Sequence, residues 1–141
     1  MTVFARSWCI NGEASRYTHM QLWNNGPSDL EFVAAGASIP AASMVAFLTT
    51  DTALDHSLVD AGASSDKGIS GANAPSVSGC LKYRVDSGLW NGGQICNHIG
   101  QANSYVSFTE MAGMIIPPNR GLMIRTPTLG MTFYGTFVWK E

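Results

Sequence analysis

The side chains that could do chemistry in this sequence are few and scattered. His19, His56 and His98 stand far apart, without the H-x-x-x-H or H-E-x-x-H spacing that sets two imidazoles around zinc on one helix face. Asp51, Asp55, His56 and Asp60 do cluster, and oxygen-rich clusters can hold a hard cation. Here they lie in small, polar, aperiodic sequence and read as a solvated acidic loop. Cys9, Cys80 and Cys96 are odd in number and contain no C-x-x-C pair, so neither a disulfide framework nor a chelating motif is written in them. All three are expected to be reduced and buried as small apolar residues. No cofactor, no metal ligand and no redox or metal dependence is expected.

Nucleophile and phosphate motifs are missing as well. There is no G-x-S-x-G, and Gly62 to Gly68 has glycine, serine and lysine in the wrong order for a Walker loop. The acids cannot be paired into the two-carboxylate arrangement of a glycosidase from sequence. Of the tryptophans, Trp8, Trp23 and Trp139 fall in strand-like sequence and read as core. Trp90, beside Asn91-Gly92-Gly93, reads as a loop residue and the one exposed aromatic that could stack on a sugar. No catalytic residue is assigned, and the chain is expected not to be an enzyme.

The elements that would carry any site are strands. Met131 to Lys140 gives the longest strand signal, with Phe133, Gly135, Phe137 and Trp139 on one face and Thr132, Tyr134, Thr136 and Val138 on the other. That aromatic face needs a partner sheet. Before it, Leu122 to Thr126 reads as a short strand, followed by the turn Pro127-Thr128-Leu129-Gly130, and the two strands are expected to form a hairpin. Tyr17 to Asn24 and Leu30 to Ala35 flank Asn24-Asn25-Gly26-Pro27-Ser28-Asp29, a strong turn signal that predicts a second hairpin. Thr2 to Ile10, Met44 to Thr50, Val77 to Val85 and Tyr105 to Phe108 complete the strand readings. Asn119-Arg120-Gly121 is turn chemistry, with Gly121 suited to positive φ. Asp51 to Ser76 is loop-like and long for a compact domain. No amphipathic helix and no internal repeat emerges. Short strands with frequent turns predict an all-β, antiparallel, jelly-roll-like β-sandwich.

Composition agrees with a single domain spanning 1–141, with an N-terminal arm (1–8) and a long loop (51–76). A chain of 141 residues buries roughly 65–70% of its unfolded surface. Hydrophobic residues make up 45% and charged residues 13%, which is unlike a disordered chain. A net charge of −2 offers no basic footprint for nucleic acid. No apolar run reaches the ~20 residues of a membrane span, and the first residues do not read as a signal peptide. The expectation is a protein made in the cytoplasm, with neither nucleic acid nor membrane as partner.

Three stretches carry a family likeness. They are Met20-Gln21-Leu22-Trp23-Asn24-Asn25-Gly26-Pro27, Ile116-Pro117-Pro118-Asn119-Arg120-Gly121-Leu122, and the terminal Phe137-Val138-Trp139-Lys140-Glu141. Their order and spacing resemble those of small jelly-roll virion proteins of tailed bacteriophages. The resemblance implies a structural role in the virion, without catalytic residues. It points first to a capsid decoration (cement) protein, a homotrimer bound to the major capsid protein. The alternative is a tail- or fibre-associated module that binds host-surface glycans, with Trp90 as its platform.

Overall fold

The computed structural model describes residues 3–57, 67–68 and 78–141. Its strands are β1 (Val3–Ile10), β2 (Tyr17–Asn24), β3 (Leu30–Ile39), β4 (Ser43–Thr50), β5 (His56–Ser57), β6 (Lys67–Gly68), β7 (Gly79–Asp86), β8 (Gly93–Gly100), β9 (Ser104–Phe108), β10 (Ile115–Ile116), β11 (Gly121–Arg125) and β12 (Phe133–Lys140). They form two antiparallel sheets packed face to face. The first runs β10-β3-β12-β1-β6, with β9 also on β3, and the second runs β5-β7-β2-β11-β4-β8. The order β1-β12-β3-β9 against β2-β11-β4-β8 is that of a jelly roll, with β7 and β5 added beyond β2. No helix among the described residues is long and apolar enough to cross a membrane.

Alternation builds the core. Phe133, Phe137 and Trp139 on β12 are buried against the second sheet, as their shared face requires. Phe4 stacks on Trp139 at 5.6 Å and Trp8 on Phe137 at 6.2 Å. Phe47 bridges the sheets, 5.2 Å from Phe32 and 5.1 Å from Phe108. Aromatic pairs at such distances add to plain area burial.

Both predicted hairpins are corrected. β2 and β3 lie in different sheets, and so do β11 and β12. A turn signal fixes where the chain reverses. It does not fix whether the next strand pairs with its predecessor or crosses to the facing sheet. β3 also extends past Ala35 to Ile39, because Ala37 and Ile39 still face the core and the small residues between them pair with β9 and β12. In the Asn119-Arg120-Gly121 turn, Asn119 takes the positive φ of 59°. Gly121 instead opens β11, where a Cβ would lie 2.6 Å from Leu22 O. Residues 3–8, expected as an arm, belong to β1, which pairs with β12 along its whole length and buries Phe4 and Trp8. Most of the 51–76 loop lies outside the described residues. Within it, Lys67–Gly68 pairs with Ala5 and Phe4.

Candidate functional site

The three stretches that carry the family likeness meet at one corner of the sandwich. Asn24, fully buried at the end of β2, ties the first two together, and the third reaches them through Ser78, whose carbonyl accepts the Asn25 N–H. The Asn24 N–H donates to Arg120 O, and its carbonyl accepts the Asn119 N–H, both at 2.9 Å. Its Nδ2 donates to Ser28 O and to Ile116 O at 2.8 Å, and its Oδ1 accepts the Gly26 N–H at 3.1 Å. Next to it, the Glu141 carboxylate accepts N–H bonds from Ser78 at 3.2 Å, from Gly79 at 3.0 Å and from the Trp139 indole at 3.1 Å. Gly79 passes so close to the indole that a Cβ there would lie 2.4 Å from Trp139 Nε1. These residues satisfy buried backbone groups where the chain changes sheets. Their chemistry is architectural.

The outer face of the second sheet is partly covered by the protein's own loops, while Met44 and Ile99, paired at its β4–β8 end, stay exposed. Ala46, Leu48, Leu54 and Met123 form a small apolar cluster there, and Trp90 packs against it. Trp90 is therefore not the exposed platform expected from sequence. Its indole N–H donates to Asp86 Oδ2 at 3.0 Å, and the Arg84 guanidinium lies 4.7 Å from the ring centroid. The Trp90 indole and then Arg84 hold the Asp86 carboxyl well below the usual carboxylate range. Buried His19 anchors the same loop. Its Nε2 accepts the Trp90 backbone N–H at 3.0 Å, and its Nδ1 sits 3.1 Å from Arg84 O. A carbonyl only accepts, so Nδ1 carries the proton and the ring is neutral. Burial lowers the His19 pKa accordingly. Gln21, also buried, bonds Thr50 Oγ1, Thr52 O and the Leu54 N–H.

The outer face of the first sheet has no such cover from a described loop. Strand register lines up Cys9, Tyr134, Ser38 and Tyr105 in one row, and Ser7, Thr136, Gly36 and Ser107 in the next. A third row is Ala5, Val138 and Ala34, with Lys67 of β6 in register with Ala5 at the sheet edge. At the far end Lys140 pairs with Glu31. Tyr134 is 57% and Tyr105 55% exposed, so both rings stand above a floor of small and hydroxyl side chains. Ser7 and Thr136 share a hydrogen bond of 2.7 Å across it. Cys9, expected buried, is exposed in this face because odd positions of β1 point outward.

Two clefts flank these faces. One, of about 440 Å³, lies beside the Asn24 corner between Thr50, Asp51, Gly92, Ile115 and Arg120. The other, of about 530 Å³, is lined by Cys9, Glu13, Arg16, His56 and Tyr83. The acidic group read from sequence is thereby divided. Asp51 lines the first cleft and His56 the second, where it stacks on Tyr83 at 5.3 Å. Asp55 pairs with Arg84 at 3.0 Å and stays 3.7 Å from His56 Nε2, and Asp60 lies outside the described residues.

A different group does converge. Cys96 and His98 sit two apart on β8, on the side facing the other sheet, and Glu110 follows β9. Their ligand atoms all lie within 4.8 Å of one another. His98 Nε2 is 2.6 Å from Glu110 Oε1, and its ring leans on Phe108 at 4.8 Å. Burial and the Glu110 carboxylate push the Cys96 thiol pKa up. Sequence reading missed this group because Glu110 arrives only when β9 crosses to the facing sheet. The legible signal was Cys96-x-His98, which alternation places on one face of a strand. Comparison with protein-family models, curated proteins and solved structures finds no match to this chain.

Proposed function

We propose that this protein is a structural protein of a phage virion, a capsid decoration protein that docks on the major capsid protein through the outer face of its first sheet. The observation that carries the reading is the contrast between the two outer faces. One is covered at its centre by the protein's own loops around Trp90. The other is sparsely charged, floored by small residues and topped by Tyr105 and Tyr134. Contact surfaces are depleted in charge and enriched in exposed tyrosine in this way. The jelly-roll order agrees with the resemblance of the three motifs, which sit together as the corner that holds the fold. The proposed role is binding, not catalysis. Several copies on one head would clamp neighbouring capsid subunits through additive weak contacts.

The experiment is a density map of particles carrying the protein. The proposal expects it on the outer head surface, with β12 and β9 turned toward capsid protein. Density at the tail tip, or the opposite sheet against the capsid, contradicts it. The second reading, a tail or fibre module for host glycans, would use the Tyr105 and Tyr134 rings, because Trp90 is engaged with Asp86 and Arg84. Binding to immobilised glycans that is lost in Tyr134→Ala would select that reading.

A further inference from the structure

Cys96, His98 and Glu110 bring a thiol, an imidazole and a carboxylate to the open edge between β8 and β9. These are the three ligand types that zinc takes, at bond lengths of about 2.0–2.3 Å. Tetrahedral zinc spaces such atoms about 3.3–3.7 Å apart, and here they already lie within 4.8 Å. Glu110 is half exposed on a turn and can swing its carboxylate, now 2.6 Å from His98 Nε2, to that spacing. Its other oxygen, Oε2, accepts the Thr109 N–H at 3.1 Å, which orients the carboxylate. Phe108 fixes the plane of the His98 ring. His98 Nε2 is buried and lies 2.6 Å from Glu110 Oε1, so the imidazole and the carboxylate already face one another. A cation would replace this direct contact and bond both atoms. Oriented first ligands with an apolar wall behind them are how metal sites are built.

We propose that Cys96, His98 and Glu110 form a binding site for zinc or a similar borderline divalent cation, with water as the fourth ligand. On binding, the Cys96 S–H bond breaks, its proton leaves to solvent and the thiolate bonds the metal. His98 binds through neutral Nε2 and Glu110 through Oε1. The metal then clips the β8 edge of the second sheet to the segment after β9 of the first. This inference does not depend on the virion reading.

The test is titration of the full chain, stripped with chelator, with Co²⁺ as an optical probe for zinc. One equivalent should produce thiolate-to-cobalt charge-transfer absorption, which zinc then displaces while raising the thermal midpoint. Cys96→Ser should abolish the band, and Cys9→Ser should keep it. His98→Ala and Glu110→Gln should weaken binding at least ~10-fold, since even outer partners of a metal are worth that much. Glu110→Gln changes an exposed turn residue and leaves the core intact, so it decides the matter should a β8 variant misfold. No charge-transfer band in the wild type overturns the proposal. So does a band that survives Cys96→Ser, one that vanishes with Cys9→Ser, or cobalt affinity unchanged in Glu110→Gln.

Discussion

Asn24 occupies a position where a single polar side chain serves two chain segments, its own turn and Ile116. Replacing it with Ala strands Ile116 O in a buried corner and removes the part-buried bonds to Ser28 O and the Gly26 N–H. An unsatisfied buried group costs about 1–3 kcal/mol, so Asn24→Ala should destabilise by about that much in equilibrium denaturation. A loss near zero would mean that water replaces the amide. His19 and Asp86 make a pH prediction. His19 is held below its ordinary pKa of 6.5, so the unfolded chain takes up that proton first. Stability should be full above about pH 6.5 and decline as pH falls below it. Asp86 is held below its ordinary 3.8, so its contribution is present above about pH 4 and is lost as pH falls further. Denaturant midpoints measured from neutral pH downward should show both steps. Asp86→Asn should remove the lower one, and a flat profile would contradict both assignments.

The strands are where sequence and structure can be compared most directly. Tyr17–Asn24 and the buried face of Phe133, Phe137 and Trp139 were legible, because alternation and β-forming side chains act locally. Sheet membership was not. Asn24 to Asp29 looks like a hairpin turn, yet beside its local bonds to Gly26 and Ser28, Asn24 also bonds Arg120, Asn119 and Ile116, residues distant in sequence. The Cys96, His98 and Glu110 cluster was hidden for the same reason. Phe137→Ala should cost about 3–5 kcal/mol, the range for a buried ring in a close-packed core. An unchanged unfolding free energy would show that the β12 face is not core. β1 makes a sharper claim. Deleting Thr2–Trp8 removes Phe4 and Trp8 and exposes the edge of β12. The truncated chain should fail to fold cooperatively, whereas a dispensable arm would leave the melting transition in place.

At the scale of the molecule, one sheet is partly covered by its own loops and the other presents a broad, sparsely charged outer face. Identical chains favour closed symmetry, and a head offers local threefold axes to match. We therefore expect a trimer in sedimentation equilibrium, and a strictly monomeric species at high concentration would argue against that arrangement. The docking face itself is tested most directly by cosedimentation with expanded, genome-free heads, comparing the wild type with Tyr134→Asp and Thr136→Arg. Both positions point outward on β12, so the fold should be kept while charge enters the centre of the face. Loss of a central contact tyrosine costs about 2 kcal/mol or more, which is roughly a 30-fold drop in affinity. A drop of that size or larger is expected for each variant at unchanged thermal stability. Wild-type binding by both folded variants would contradict it.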